Sequence, residues 1–323
     1  MITIAVIGAG QLGSRHLQAL ALLKKPANIQ VIDVSQASLE TAKKRFEEVN
    51  KNFTGTISFH TDITSLDKNI EIAIVATGSK IRRQLIEQLL SHSTVKYIIL
   101  EKFLFTKKED YTSIEKLLIQ KNIKAWVNCP RRMMSFYQKL SKEIKGPVHF
   151  MATGNAWGMG CNGIHMLDLF SYLTNTTDII LSNKLIAKKT EQSKREGYIE
   201  FTGIITGQTN NDSFHITSFP TGTSPLHIII NTPTVRYSIE EGANAKVWIS
   251  RLDNNWKWEE DTFTMPFQSG LTNIVVEELL NTGNCSLTAY KESSTLHLIY
   301  LNTLIAFLKE VNNDNSIEEC LIT

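Results

Sequence analysis

A glycine turn near the start constrains this chain more than any other feature. The apolar run Ile2–Ile7 leads into Gly8-Ala9-Gly10-Gln11-Leu12-Gly13, and an amphipathic stretch over residues 11–24 follows. Three glycines at this spacing mean little alone, but a strand before them and a helix after them are the context of a dinucleotide loop. Gly8 permits the tight turn, Gly10 lets the backbone approach a pyrophosphate, and Gly13 lets helix and strand pack closely. The helix N-terminus favours the phosphate charge. A glycine-rich turn with no ligand is the plain alternative. Asp33 ends the second apolar run, residues 29–32. A carboxylate there accepts a ribose hydroxyl and repels a 2′-phosphate. Ser35 and Gln36 follow, with no arginine to receive such a phosphate, so NAD is expected ahead of NADP. The alternative for Asp33 is a cap on the next helix.

Beyond the turn, short apolar runs alternate with helical patterns. Runs at 56–60, 70–76, 96–100 and 124–127 read as strands, and 36–49, 80–91 and 109–120 as helices. Continuous apolar strands separated by helices predict a doubly wound parallel sheet covered on both faces. After residue 127 the pattern changes. Residues 133–144 and 164–173 read as helices and 148–156 as a strand. From 179 to 249 Thr, Ile and Val runs broken by Gly, Asn and Pro predict a largely antiparallel sheet. Trp256 and Trp258, at strand spacing, read as sheet residues. Helices are expected near 271–280 and 293–309. The predicted fold is α/β: an N-terminal Rossmann domain over 1–127 and an α/β domain with an open, mostly antiparallel sheet over 128–323.

Composition narrows the function classes. A net charge of +2 and the lack of a basic block give no case for nucleic acid. No apolar run approaches the roughly 20 residues of a membrane span, and the glycines interrupt the first apolar stretch where a signal peptide would need it. Cys129, Cys161, Cys285 and Cys320 form no close pair, so neither a disulfide framework nor a metal site is expected, and a cytoplasmic setting fits.

Several pieces in order resemble the glucose–fructose oxidoreductase and inositol dehydrogenase family. They are the Gly8–Gly13 loop with His16, Ala76-Thr77-Gly78-Ser79 after the fourth strand, Glu101-Lys102 after the fifth, the segment 128–132, and Gly163-Ile164-His165-Met166-Leu167-Asp168. The resemblance reaches to about residue 175. It implies oxidation or reduction of a sugar, cyclitol or related alcohol, with nucleotide-linked and acidic sugars among the candidates. It also implies a homo-oligomer, dimer or tetramer, formed through the open sheet. By resemblance, Gln11, Leu12, Ala76, Thr77, Gly78, Glu101 and Lys102 join Gly8, Gly10, Gly13 and Asp33 at the cofactor. Two positions depart from the family: Phe103 stands where it has proline, and Cys161 where it has aspartate.

Alcohol oxidation needs a hydride acceptor and a base for the hydroxyl proton. Lys102 follows a buried strand, on the crevice side of a doubly wound sheet, which suits proton transfer. A solvated lysine after a strand is the commoner situation. Cys161, His165 and Asp168 are spaced to share one helical face. His165 is a candidate to transfer or orient a substrate proton, or else a core histidine. Asp168 is a substrate ligand or a support for His165, and Cys161, near the substrate, reads as a small packing residue. Arg131 and Arg132 either hold a substrate carboxylate or phosphate, or form a solvated pair. Trp157, in a Gly- and Asn-rich loop, covers a sugar or nicotinamide face, or anchors packing. The competing function is a dinucleotide-binding regulatory or scaffold protein that has lost turnover. A reductase of a non-sugar carbonyl or imine ranks third.

Overall fold

The computed structural model describes residues 1–323, which divide into two compact units. The first comprises residues 1–105, 109–130 and 266–291, the second 106–108, 131–265 and 292–323. The units are therefore not two consecutive halves. Residues 266–291, assigned from the sequence to the second domain, return to the first.

In the first unit, β1 (Ile2–Ile7), α1 (Gln11–Leu20), β2 (Ala27–Ile32), α2 (Gln36–Glu47), β3 (Gly55–His60), β4 (Asn69–Val75), α3 (Ser79–His92), β5 (Thr94–Leu100), α4 (Lys108–Gln120) and β6 (Lys124–Val127) follow one another. The strands lie in the order β6-β5-β4-β1-β2-β3 and all pair in parallel. This is the doubly wound Rossmann order, whose topological switch lies between β1 and β4. Ile4, Ala5, Val6, Ile72, Ala73, Ile74 and Ile98 are fully buried, because helices cover both faces of such a sheet.

The second unit continues with α5 (Ser135–Glu143), β7 (His149–Asn155), α6 (Met159–Thr174), β8 (Ile180–Ile186), the short pair β9 (Glu191–Gln192) and β10 (Ile199–Glu200), and β11 (Gly203–Gln208). Then come β12 (Ser213–Phe219), β13 (His227–Asn231), β14 (Val235–Glu240), β15 (Asn244–Arg251) and β16 (Trp258–Thr264). Returning to the first unit, α7 (Thr272–Thr282) precedes β17 (Thr288–Ala289), which pairs antiparallel with β6 at the sheet edge. The last helix is α8 (Tyr290–Asn312). The eight-stranded sheet runs β16-β15-β14-β13-β7-β12-β11-β8 and is open; every pairing is antiparallel except β7 with β12. The inner strands β7 and β12–β15 alternate buried with more exposed residues, while β16 at the edge is almost wholly exposed. Phe150 and Phe214 face Phe170 of α6, with ring centroids 6.0 and 5.3 Å from it, while Met151, Phe219 and Trp258 are exposed.

Two expectations need correction here. The helix placed at 164–173 begins at Met159. Its glycines suggested a loop, yet Gly163 sits under Tyr300, whose hydroxyl would lie 2.0 Å from an added Cβ. The start of the helix is capped by Glu200, which accepts from the N–H groups of Gly160 (2.7 Å) and Cys161 (3.1 Å), a cap no local pattern reveals. Trp256 is not a sheet residue. It sits in a left-handed turn (φ 62°) before β16, under the Arg236 guanidinium at 4.6 Å.

Candidate active site

The carboxyl ends of β1, β2, β4 and β5 carry most of the residues the sequence singles out. Gly8 has φ +93°, and a Cβ on it would lie 2.9 Å from Thr77 and 3.0 Å from the Ala76 backbone. At Gly13 a Cβ would lie 1.7 Å from the Gly8 carbonyl oxygen, so α1 and β1 pack as they do only with glycine there. Around Gly10 nothing lies within 4 Å. Gly10 is also the N-cap of α1, with no side-chain cap and no acid in the first turn that follows. Exposed Gln11 and half-buried Leu12 continue the turn. An open approach to uncapped N–H groups suits a pyrophosphate. The Thr77 hydroxyl oxygen, beside Gly8, is buried and has no hydrogen-bond partner, as befits a group facing a ligand. These residues fit a dinucleotide.

Asp33 is half-buried. One carboxylate oxygen accepts from Ala9 N–H (2.7 Å), the other from Ser35 N–H (2.9 Å). It thus ties the glycine turn to the end of β2 and keeps acceptor capacity for a hydroxyl. The cap of α2 is Ser35, whose hydroxyl accepts from Ser38 N–H, so the capping alternative for Asp33 does not hold. Next to Val34 a cavity of about 490 Å³ opens between the β3–β4 connection and α3, lined by Ile32, Thr61, Ile63 and Leu85 among others.

At the end of β5, Glu101 is buried within a polar network. Its carboxylate accepts from Asn128 Nδ2 (2.6 Å) and pairs with His16 Nε2 (2.8 Å). His16 Nδ1 lies 2.8 Å from the Thr272 hydroxyl, and Gln268 bridges Asn128 and Thr272. Burial alone would push the Glu101 carboxyl up. The bonds from His16 and Asn128 and the neighbouring Lys102 charge outweigh it and hold the group below the usual carboxylate range. Lys102 follows, half-buried. Phe103 is fully buried, and the peptide between the two is cis.

The second unit gathers the rest. Trp157, at the end of the loop after β7, is half-buried; its indole N–H donates to the Thr217 carbonyl at 2.8 Å. Cys161 and His165 lie on α6, both half-buried, with the Cys161 sulfur 3.5 Å from the Gly158 carbonyl oxygen. The arginines behave otherwise than expected. Arg131 grips Glu241 with Nε (2.8 Å) and Nη2, and Tyr137 donates to the same carboxylate. Arg132 donates through Nε to Asp168 Oδ2 (2.9 Å), while its Nη1 meets Glu292 at 2.7 Å. Asp168 is 1% exposed. A guanidinium already matched by two internal carboxylates, or bidentately by one, has no charge left over for an anionic substrate. Arg131, Arg132 and Asp168 are therefore read as framework, not as substrate ligands.

Sequence reasoning missed Gln268 and Thr272, which no periodicity connects to His16. It also missed Arg82, although helical phase marks it: Arg82, Ile86 and Leu89 share the buried stripe of α3, while Arg83 pairs with Glu87 and Asp110.

Comparison with known proteins agrees with this geometry. Residues 2–129 match the model of an oxidoreductase family with an NAD-binding Rossmann fold. No curated protein matches the chain. Among solved structures, the chain is similar to KijD10, a 3-ketoreductase from Actinomadura kijaniata in complex with NADP. The identity is 13%, the coverage 100% of this chain and 99% of that one, and the TM-score 0.67. It is similar to the UDP-N-acetylglucosamine 3-dehydrogenase GnnA from Acidithiobacillus ferrooxidans at 13% identity, covering 95% and 99%, with a TM-score of 0.68. It also resembles a super-repressor mutant of Gal80p from Saccharomyces cerevisiae at 14% identity, covering 97% and 99%, with a TM-score of 0.68. At such identities these likenesses concern the fold. No helix is long and apolar enough to cross a membrane.

Proposed function

We propose, from the match of residues 2–129 to the model of an oxidoreductase family with an NAD-binding Rossmann fold, that this chain moves a hydride between NAD and a hydroxyl or carbonyl carbon of a sugar-like substrate. The observation that carries this reading is the open approach to Gly10 above an uncapped helix N-terminus, with Asp33 at the end of the adjacent strand. The N–H groups opening α1 hold the pyrophosphate, and Asp33 accepts from the adenosine ribose. The cavity beside Val34 takes the adenine. In this reading the nicotinamide half lies over β4 and β5, across the switch point from β2, and the strand order supports it. A bound nicotinamide supplies the hydride acceptor or donor. Lys102 Nζ takes the proton of the substrate hydroxyl in oxidation and returns it in reduction. Glu101, fixed by His16 and Asn128, holds a negative charge next to Lys102 in sequence. In the second unit His165 is the candidate for orienting the substrate hydroxyl, with Trp157 and Cys161 near the substrate. Self-association through the open sheet face, which exposes Met151 and Phe219, belongs to the same reading; light scattering on the purified protein tests it, and a monomer at all concentrations rejects it.

The deciding experiment is a binding titration with NADH and NADPH beside a turnover screen. The screen covers sugars, sugar acids, cyclitols and sugar nucleotides in both directions. Tighter NADH binding with turnover of one class supports the reading. A specific observation keeps a second reading in view: Cys161, in place of a carboxylate one helical turn before His165, directs its sulfur to a backbone carbonyl. Binding of NADH with no turnover on any class favours a dinucleotide-sensing regulatory protein.

A further inference from the structure

We propose that Arg82 is a positioning residue for the nicotinamide half of the crevice, an inference that rests on reading the crevice as a cofactor site. Arg82 is 1% exposed, although it carries a charge. Its guanidinium donates to three backbone carbonyls: Leu104 at 2.8 Å, Phe103, and Thr77. Two of these belong to the turn after β5 that begins with Lys102. The third belongs to the turn after β4. A single planar fork therefore fastens together the two turns over which the nicotinamide half is expected, while the turn after β1 and the end of β2, on the adenosine side, are joined separately by Asp33.

Several facts argue against a purely local role. Arg82 lies in the first turn of α3, near the positive end of the helix, where a cation is disfavoured. Burying a guanidinium is costly unless its donors find strong acceptors, and here main-chain carbonyls of both turns accept from it. A lysine has no fork with which to reach three carbonyls in one plane. Its neighbour Arg83 does what a helix-surface arginine ordinarily does, pairing with Glu87 and Asp110. The turn that Arg82 holds also presents the buried, unpartnered Thr77 hydroxyl oxygen. A fixed turn keeps that oxygen aimed, and a fixed Phe103 carbonyl sets the direction in which Lys102 leaves the strand.

The test compares two probes, NADH and ADP-ribose, on the full chain. ADP-ribose keeps both phosphates and the adenosine and lacks the nicotinamide. Calorimetric titration of wild type, Arg82→Met and Arg82→Lys, with circular dichroism as a folding control, gives the split. Arg82→Met is expected to weaken NADH at least tenfold and ADP-ribose less than threefold. Arg82→Lys is expected to fall between wild type and Arg82→Met for NADH. Hydrogen exchange should quicken together in peptides covering residues 77–79 and 102–105 in Arg82→Met. Should Arg82→Met fail to fold, Arg82→Lys decides by the same split, with NADH weakened at least threefold and ADP-ribose unchanged. Equal weakening of the two probes, or no weakening of either, overturns the positioning role. If the wild-type protein binds neither probe, the cofactor reading fails and takes the proposal with it; if it binds both and the split is absent, only the role of Arg82 fails.

Discussion

In the unit built on the parallel sheet, the buried Glu101 carboxylate is held by His16 and Asn128. In the unit built on the antiparallel sheet, Asp168, Glu241 and Glu143 each close on an arginine. The first arrangement keeps a buried carboxylate charged through bonds from His16 and Asn128 and the nearby Lys102 charge, with no arginine closing on it. The second consumes charge in pairs. The pairs Arg132–Asp168 and Arg131–Glu241 are mostly shielded from water, so they define the shape of that unit rather than an anion-binding surface. Residue type alone is thus a poor guide to chemistry: of three residues with a substrate role among their readings, Arg132 and Asp168 pair with each other and Arg131 with Glu241, while three glycines make the opening.

The sharpest way to break this contrast is to unpair the second unit. Asp168→Ala leaves Arg132 buried beside Glu292 alone, and loss of one partner of a buried pair costs about 3–5 kcal/mol. Urea unfolding should show that loss. If the change proves neutral, Asp168 is available for substrate after all. Next in size is Lys102→Met, expected to lower turnover about a hundredfold or more while NADH affinity stays near wild type; steady-state kinetics with a parallel titration checks both halves, and near-normal turnover removes Lys102 from the chemistry.

Glu101→Gln tests the first unit. Replacing the charged acceptor should cost about 1.5–3 kcal/mol at pH 7, in line with hydrogen bonds to charged groups. The folded carboxyl lies below its unfolded value, so its contribution is present in full above the unfolded pKa. It fades as pH falls through the folded one. Unfolding of the two proteins between pH 7 and pH 3 should therefore show the gap narrowing on the acid side. A gap that is constant with pH would mean that packing, not charge, is what the substitution removes. A smaller effect is expected at Asp33→Asn: about tenfold weaker NADH binding, the size of one lost charge-assisted bond, with a reduced preference over NADPH. Smallest is Cys161→Ala, which should keep turnover within about twofold, whereas His165→Ala loses much of it. Abolished turnover in a folded, NADH-binding Cys161→Ala protein would give the thiol a direct role.

The parallel sheet was legible because its strands are continuous apolar runs between helical periods, and the glycine turn because backbone constraints leave glycine few substitutes. What stayed hidden depended on partners distant in sequence. The N-terminal turn of α6 carries Gly160, which read as loop; its N–H is capped by Glu200, 40 positions later, and the close approach of Tyr300 leaves room only for glycine at 163. Arg82 and Arg83 are adjacent and identical in type, and only the phase of α3 separates a buried clamp from a surface ion pair. Nothing at Gln268 or Thr272 announces an interaction with His16, 252 and 256 positions earlier.

That last connection has a consequence for synthesis at the ribosome. Gln268 and Thr272, which complete the polar network around Glu101, and the edge strand β17 all come from residues 266–291, made only after the 131–265 stretch of the other unit. At roughly 5–20 residues per second, the nucleotide-binding unit waits on the order of ten seconds with His16 and Asn128 short of partners. The second unit's open sheet emerges in the meantime. A fragment ending near residue 130 is a permanently arrested version of that intermediate, so it should expose the β6 edge and recruit chaperones that the full chain releases.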